Sequence, residues 1–161
     1  MTTQILTQKY LHTLFDYKNG ALYWKKSRSK IKVGQKTGSL NINGYLTTKI
    51  DQKDYRTHRL IFMWHYGYFP VQVDHINNIK TDNRIENLRP ATNGQNRQNT
   101  SIQKNNTSGF KGVYKQKNKW RVRLMIEGKS KSFGLYNDID YAKFVADAMR
   151  HKYHQEFART K

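Results

Sequence analysis

The chain lacks cysteine and is poor in acidic residues. Without cysteine there can be no disulfide framework, no cysteine-ligated zinc site and no thiol nucleophile, and this composition fits a reducing compartment. The first ten residues contain no apolar stretch typical of a signal peptide, and no apolar run approaches the ~20 residues of a membrane span. We therefore expect a soluble, intracellular protein of the cytoplasm, with no membrane partner.

Apolar residues are also scarce, at 36% of the 161 residues. This fraction is below the ~45–50% of ordinary globular chains, a benchmark that also counts glycine, so one large core is not expected. The 11 tyrosines, 7 phenylalanines and 3 tryptophans are nevertheless too many for a disordered tail, because each aromatic ring buries a large area. The composition predicts several small folded units.

Basic residues, in contrast, are abundant: 30 Lys and Arg oppose 11 Asp and Glu, a formal net charge of +19. A compact body with this charge repels itself unless a polyanion neutralises it. The basic residues are spread over the chain instead of being gathered on one amphipathic helix, which favours nucleic acid over a membrane surface.

Turn and helix signals divide the first seventy residues. Asn19-Gly20 and Asn43-Gly44 each predict a β-hairpin, because both residue types accept positive φ. A short helix is expected before the first hairpin, within residues 5–24, and a basic loop over residues 25–36. Apolar residues then recur at helical spacing from about residue 57, and Gly67 can end that helix.

The segment over residues 71–100 carries the side chains suited to chemistry. A strand is expected to end at Asp74-His75, and a polar loop follows it. Thr92 and Gln95 match a capping box, which would begin a helix containing Asn96. The segment therefore predicts a β–β–α unit in which Asp74, His75 and Asn96 could converge.

That combination suits metal-assisted hydrolysis of a phosphodiester bond. A carboxylate and an amide oxygen are hard ligands appropriate to Mg²⁺. An imidazole with an ordinary pKa of ~6.5 can take a proton from water at neutral pH. Because only one carboxylate is present, we expect one ion instead of two.

The same residues resemble the motif of the HNH endonucleases, in particular the phage and intron-encoded homing enzymes. The resemblance rests on Asp74-His75, Asn87 and Asn96, with His58-Arg59-Leu60 ahead of them and Arg84–Arg89 between. It implies a ββα-metal finger with His75 as general base, Asp74 and Asn96 as metal ligands, and Asn87 tying the loop and orienting His75. It further implies 5′-phosphate and 3′-hydroxyl ends. Asn stands where many HNH enzymes have His, so Mg²⁺ is expected, with Mn²⁺ possible and no zinc.

Alternation of residue types organises the C-terminal part into three strands and a helix. We expect strands over residues 110–114, 120–126 and 130–135, and a helix beginning at an Asn137 N-cap. The segments Gly109–Tyr114, Lys119–Val122 and Phe133–Tyr136 resemble the DNA-binding domain of plant ethylene-response factors, which lays its sheet in the major groove. Candidate DNA contacts are Lys111, Tyr114, Gln116, Arg121, Arg123 and Lys131. Tyr114 and Gln116 stand at Arg-type positions, so the plant target sequence does not transfer.

These observations predict an α+β protein that binds double-stranded DNA, as a monomer or a homodimer. The expected organisation is an N-terminal β-rich unit over residues 1–54, an HNH nuclease domain over 55–100, a linker over 101–108 and a DNA-binding domain over 109–161. The function expected is a site-specific homing endonuclease. The alternatives are a non-catalytic DNA-binding protein on a degenerate HNH scaffold and a nonspecific nuclease similar to bacteriocins.

Several polar residues receive a structural interpretation instead of a functional one. Asn77, Asn78, Asn83 and Asn93 are expected to form turns, because their side chains bond to their own backbone. His151 and His154 lie at i, i+3 spacing, but no third ligand lies near them, so we expect both to be solvated. His58 is expected to be structural or to contact phosphate.

Overall fold

The computed structural model describes residues 6–28, 30–103 and 105–159. Parts of the predictions therefore lie outside the described residues: the first five residues, Ser29 in the basic loop, Lys104 in the linker and the last two residues. The chain divides into two compact units, Met1–Ala91 and Thr92–Lys161. Both combine helices with small antiparallel sheets, which confirms the α+β class. No helix in the described ranges is both long and apolar enough to cross a bilayer.

The first unit begins with a helix and a hairpin, as predicted. Helix α1 (Gln8–Leu14) follows Thr7, whose hydroxyl accepts a hydrogen bond from the Tyr10 backbone amide. Strands β1 (Phe15–Lys18) and β2 (Ala21–Trp24) pair across a tight turn with φ of 46° at Asn19 and 78° at Gly20. A Cβ on Gly20 would lie 2.7 Å from the Arg84 backbone nitrogen, so glycine is needed here for close approach as well as for its φ.

Three further strands and a helix complete the scaffold of this unit. The second Asn-Gly hairpin is confirmed by β3 (Ser39–Leu40) and β4 (Leu46–Ile50). Strand β5 (Lys53–Arg56) was not predicted, because its turn uses Asp51 and Gln52 at φ of 47° and 66° and carries no glycine. Helix α2 (Thr57–Tyr66) ends at Gly67 in the left-handed region, as expected.

A two-stranded ribbon closes the first unit. Strands β6 (Gln72–His75) and β7 (Leu88–Ala91) pair antiparallel, and a 3₁₀ turn (Ile85–Asn87) leads into β7. One hydrophobic core includes Leu11 and Trp24 from before residue 55 together with Leu60, Val73 and Leu88 from after it. The domain boundary predicted at residues 54/55 stays a prediction, and the core spans it.

The second unit contains the capped helix and the three-stranded sheet. Helix α3 (Asn93–Gln98) begins with the predicted capping box of Thr92 and Gln95. The sheet order is β10–β9–β8, built from β8 (Val113–Gln116), β9 (Lys119–Ile126) and β10 (Lys129–Tyr136). Helix α4 (Ile139–His154) covers one face through Ala142 and Ala146.

Three details of this unit differ from the sequence predictions. The first strand begins at Val113 instead of residue 110. The N-cap of α4 is Asp138 instead of Asn137, because the Asp138 carboxylate accepts from the Tyr141 amide at 2.6 Å. His154 is buried, and its Nε2 lies 3.0 Å from the Met125 carbonyl oxygen, so only His151 is solvated.

Candidate active site and nucleic-acid surface

His75 is the last residue of β6 and is buried. The residue is only 5% exposed, and the His58 ring packs edge-on against the His75 ring, with 4.8 Å between the ring centroids. The Nε2 atom lies 2.8 Å from Oδ1 of Asn83. An amide oxygen only accepts, so Nε2 carries the proton of the neutral ring and Nδ1 is the basic nitrogen.

Burial keeps both imidazoles of this pair neutral. Desolvation is the largest cause that lowers the pKa of His75, and the hydrogen bond to Asn83 and the charge of Asp74 act in the opposite direction. Burial, with a smaller effect from the charge of His75, lowers the pKa of His58 to about 3. At neutral pH the His75 ring is therefore in the form that can accept a proton.

Two buried polar atoms beside His75 have no hydrogen-bond partner. They are Nδ1 of His58 and Nδ2 of Asn83, and among the described residues of the first unit they are the buried side-chain nitrogens or oxygens without one. Buried polar groups are normally paired with protein atoms or with ordered water. Both atoms belong to side chains that contact His75.

Asn87 braces the loop that follows His75. Its Oδ1 accepts from the Asn77 amide at 3.0 Å, its Nδ2 donates to the Asp82 carbonyl at 2.7 Å, and its carbonyl accepts from the Ile76 amide at 2.9 Å. Asn87 thus ties the two residues after His75 to the far side of the loop. Asn83, for which the sequence predicts only a turn, bonds the His75 ring directly.

Asp82 adds a second brace to the same loop. Its carboxylate accepts two hydrogen bonds from the Arg84 guanidinium, each 2.8 Å long, and one from the side-chain Nδ2 of Asn77 at 2.7 Å. The bond from Arg84 is the main reason why the pKa of Asp82 is held well below its usual range. Asp82 therefore stays ionised and holds the loop closed at any pH at which the protein would work.

Asp74 is buried and paired with Arg89, to which the sequence assigns no role. The β6–β7 register places Asp74 opposite Arg89, whose Nε and Nη2 lie 2.9 Å and 2.8 Å from Asp74 Oδ2. Consecutive strand residues project to opposite faces, so Asp74 faces Arg89 while His75 faces α2. The pairing of Arg89 with Asp74 follows from the register of β6 and β7. The spacing of residues along the chain does not give that register.

Asn96 lies on α3, in the second unit, and is half-buried. Its joining Asp74 at one metal ion stays a prediction. In the part of the chain that the structure describes, no three His, Cys, Asp or Glu side chains group closely enough to hold a metal. The predicted ligands are the carboxylate of Asp74 and the amide oxygen of Asn96. Oxygen ligands of these two kinds fit Mg²⁺, which keeps several waters when bound and also binds substrate phosphate.

Four of the six predicted DNA contacts share the sheet face opposite α4. Tyr114 pairs with Arg121 across β8 and β9, and Gln116 pairs with Lys119, whose side chain projects on the same side as Arg121. The Arg123 guanidinium lies 5.0 Å from the centroid of the Tyr114 ring. This face therefore combines cations with an aromatic ring.

The other two predicted contacts are placed differently. Lys131 pairs with Leu124, on the face that α4 covers, and its ammonium lies 5.2 Å from the Tyr153 ring. The Lys111 ammonium donates to the carbonyls of Gln98 and Thr100 at 2.6 Å each, and burial lowers its pKa to about 8. These contacts place the two lysines apart from the Arg121–Arg123 face.

Comparisons with known proteins identify a family match over the segment that contains this site. Residues 55–98 match the HNH endonuclease family. Protein 3.8 of Escherichia phage T7 is 32% identical over 95 residues, which cover 58% of this chain and 75% of that protein. No solved structure matches significantly.

Proposed function

Because the chain belongs to the family of Protein 3.8 of Escherichia phage T7 and carries an HNH endonuclease domain at residues 55–98, we propose that it is a metal-dependent DNA endonuclease of the homing type. The observation that carries this proposal is a neutral, buried His75 held by Asn83 inside the matched segment. The proposed reaction hydrolyses a phosphodiester bond of double-stranded DNA and leaves a 5′-phosphate and a 3′-hydroxyl.

In the proposed mechanism His75 is the general base. Its Nδ1 takes a proton from water, the water oxygen attacks phosphorus, the bond from phosphorus to the 3′ oxygen breaks, and the departing oxygen takes a proton from solvent water to give the 3′-hydroxyl. Asn83 positions the ring by accepting from Nε2. Asn87 and Asp82 hold the loop that carries Asn83, so the base cannot rotate away from the phosphate.

The metal ligands proposed are Asp74 and Asn96. A bound Mg²⁺, or Mn²⁺ in its place, would stabilise negative charge on the phosphate and on the departing oxygen. Arg89 orients Asp74 through the pair to Oδ2. Because Asp74 and His75 project from opposite sides of the strand end, the ligand and the base would approach the phosphate from two directions.

The C-terminal sheet is proposed to choose the cleavage site. Its exposed face carries Tyr114, Gln116, Arg121 and Arg123, and a sheet of this size fits the major groove. The charge of +19 supports DNA as the partner, since each phosphate contact releases counterions. The likeness to the plant ethylene-response-factor domain is part of this proposal.

A plasmid digest tests the proposed activity. Purified protein should relax supercoiled plasmid that contains its site in the presence of Mg²⁺, and EDTA should stop the reaction. His75→Ala should lower the nicking rate by ~10²–10⁴ and leave binding within a few fold, because a base acts on the chemical step. The matched control is His151→Ala, which removes an exposed imidazole.

The outcomes separate the proposal from its alternative. Nicking by His75→Ala at the parental rate would refute the catalytic assignment. Tight binding by the parent protein with no strand cleavage under Mg²⁺ or Mn²⁺ would favour a DNA-binding protein on a degenerate HNH scaffold.

A further inference from the structure

An isoleucine stands fully in solvent at the tip of the second hairpin. The tip, residues 41–44, lies between β3 and β4, and Ile42 within it is 100% exposed. Leu40, at the end of β3, is 65% exposed, and Ile79 on the loop after His75 is 55% exposed. Single exposed apolar residues need no explanation, but several on adjoining elements mark a contact surface.

The tip holds Ile42 in a preformed turn. Oδ1 of Asn41 accepts from the backbone amides of Asn43 and Tyr45, each at 3.0 Å. The Gly44 amide donates to the Asn41 carbonyl at 2.9 Å, and Gly44 has a φ of 78°. Because these bonds set the backbone on both sides of Ile42, binding through this side chain would require little ordering of the chain.

The same tip is tied to the active-site loop. The Lys80 ammonium donates to the Asn43 carbonyl at 3.0 Å and lies 5.0 Å from the centroid of the Tyr45 ring. The Tyr45 ring in turn lies 5.3 Å from the His58 ring and 6.1 Å from the His75 ring. A continuous set of contacts therefore fixes Ile42 relative to the proposed base.

We propose that Ile42 is a wedge that enters the minor groove of bound DNA and partly unstacks one base step near the bond that is cut. Proteins that bend DNA from the minor groove insert apolar side chains in this way, with amide and basic side chains beside them. The tip has this composition: Asn41 and Asn43 flank Ile42, and Lys80 supplies a cation next to them. The cations at the base of the tip, Lys80 and the Arg56 guanidinium at 4.6 Å from the Tyr45 ring, favour a polyanion over an apolar protein partner.

This inference rests on the proposed function for its partner, but its test does not require cleavage. Hydroxyl-radical footprinting in EDTA first maps the bound site on DNA fragments. A short duplex of that site, with 2-aminopurine placed in turn at each position, then reports unstacking by fluorescence. We expect a several-fold rise at one step with the parent protein and with Ile42→Leu, and loss of that rise with Ile42→Ala. Affinity of Ile42→Ala should fall on the order of tenfold.

The control is Val33→Ala, which removes exposed apolar surface, since Val33 is 65% exposed, in the loop between β2 and β3. It should leave both the fluorescence and the affinity unchanged. The proposal is overturned if the parent protein binds without any fluorescence rise, or if Ile42→Ala keeps the rise. It is also overturned if Ile42→Ala only converts a dimer to a monomer, which would make the tip a contact between copies of the chain. A failure to cut with the fluorescence rise intact would refute the nuclease proposal and leave the wedge supported.

Discussion

Replacing Asn83 by aspartate is expected to move the acid limb of the nicking rate to higher pH. Oδ1 of Asn83 lies 2.8 Å from Nε2 of His75, and both residues are buried, with Asn83 1% exposed and His75 5% exposed. Asn83→Asp keeps the shape of the side chain and adds a negative charge at that distance. An opposite charge this close favours the protonated imidazole and raises a pKa by about 1–3 units.

The size of the displacement along the pH axis depends on the protonation state of His75. Its pKa is lowered by burial in the parent protein, so the ring is neutral at pH 7. The variant should need a pH about 1–3 units higher to reach the same fraction of neutral base, and each unit corresponds to about 1.4 kcal/mol. At high pH the two proteins should nick at similar rates. Asn83→Ala should instead lower the rate at every pH, because the proton is no longer held on Nε2.

Single-turnover nicking of supercoiled plasmid, measured across the range in which imidazoles titrate, is the assay. Asn19→Asp is the matched control, because it adds the same charge at an exposed turn residue where aspartate also suits the turn. If the acid limb of Asn83→Asp coincides with that of the parent, or if Asn83→Ala keeps the parental rate, Asn83 does not position the base.

Three further predictions concern stability and binding. Arg89→Met should lower the free energy of unfolding in urea by about 3–5 kcal/mol, because it removes the guanidinium that pairs with the buried Asp74 carboxylate, and the double variant with Asp74→Asn should lose clearly less. The pKa of His58 is about 3 in the folded protein, so only the unfolded chain binds a proton at this residue as the pH falls below the ordinary histidine pKa. The free energy of unfolding should therefore drop by about 2 kcal/mol between pH 7 and pH 5. A free energy that does not change with pH, or one that changes equally steeply in His58→Gln, would contradict this. Arg123→Ala should weaken DNA binding and reduce the salt dependence by about one phosphate, whereas Lys131→Ala, on the face covered by α4, should change it less; equal effects would show that the sheet faces are assigned wrongly.

Local signals in the sequence predicted most of the elements. The Asn19-Gly20 turn, the Gly67 helix end and the Thr92–Gln95 capping box are all present, because each depends on a few residues that are adjacent in the chain. Strand β5 was missed because the turn before it, at Asp51 and Gln52, takes a left-handed backbone without glycine. Pairing with β4 stabilises that turn, and a pairing partner is not a local signal.

The candidate site divides in the same way. His75 and Asp74 could be singled out because residue type and motif point to them, and Asn87 is found tying the loop, as the resemblance implied. Asn83 and Arg89 could not be assigned, since an Asn in a polar loop and an Arg on a strand are ordinary residues. Only the closed loop brings Asn83 to the ring of His75, and only the β6–β7 register sets Arg89 opposite Asp74.

The sequence by itself determined the basic character of the chain, most of its helices and strands, and the histidine at a strand end that is suited to accept a proton. These properties follow from composition and from energies that act over a few residues. The tertiary structure decided that His75 is buried beside His58, which nitrogen carries its proton, and which arginine holds Asp74. Those properties depend on desolvation and on contacts between distant parts of the chain, and packing alone creates both.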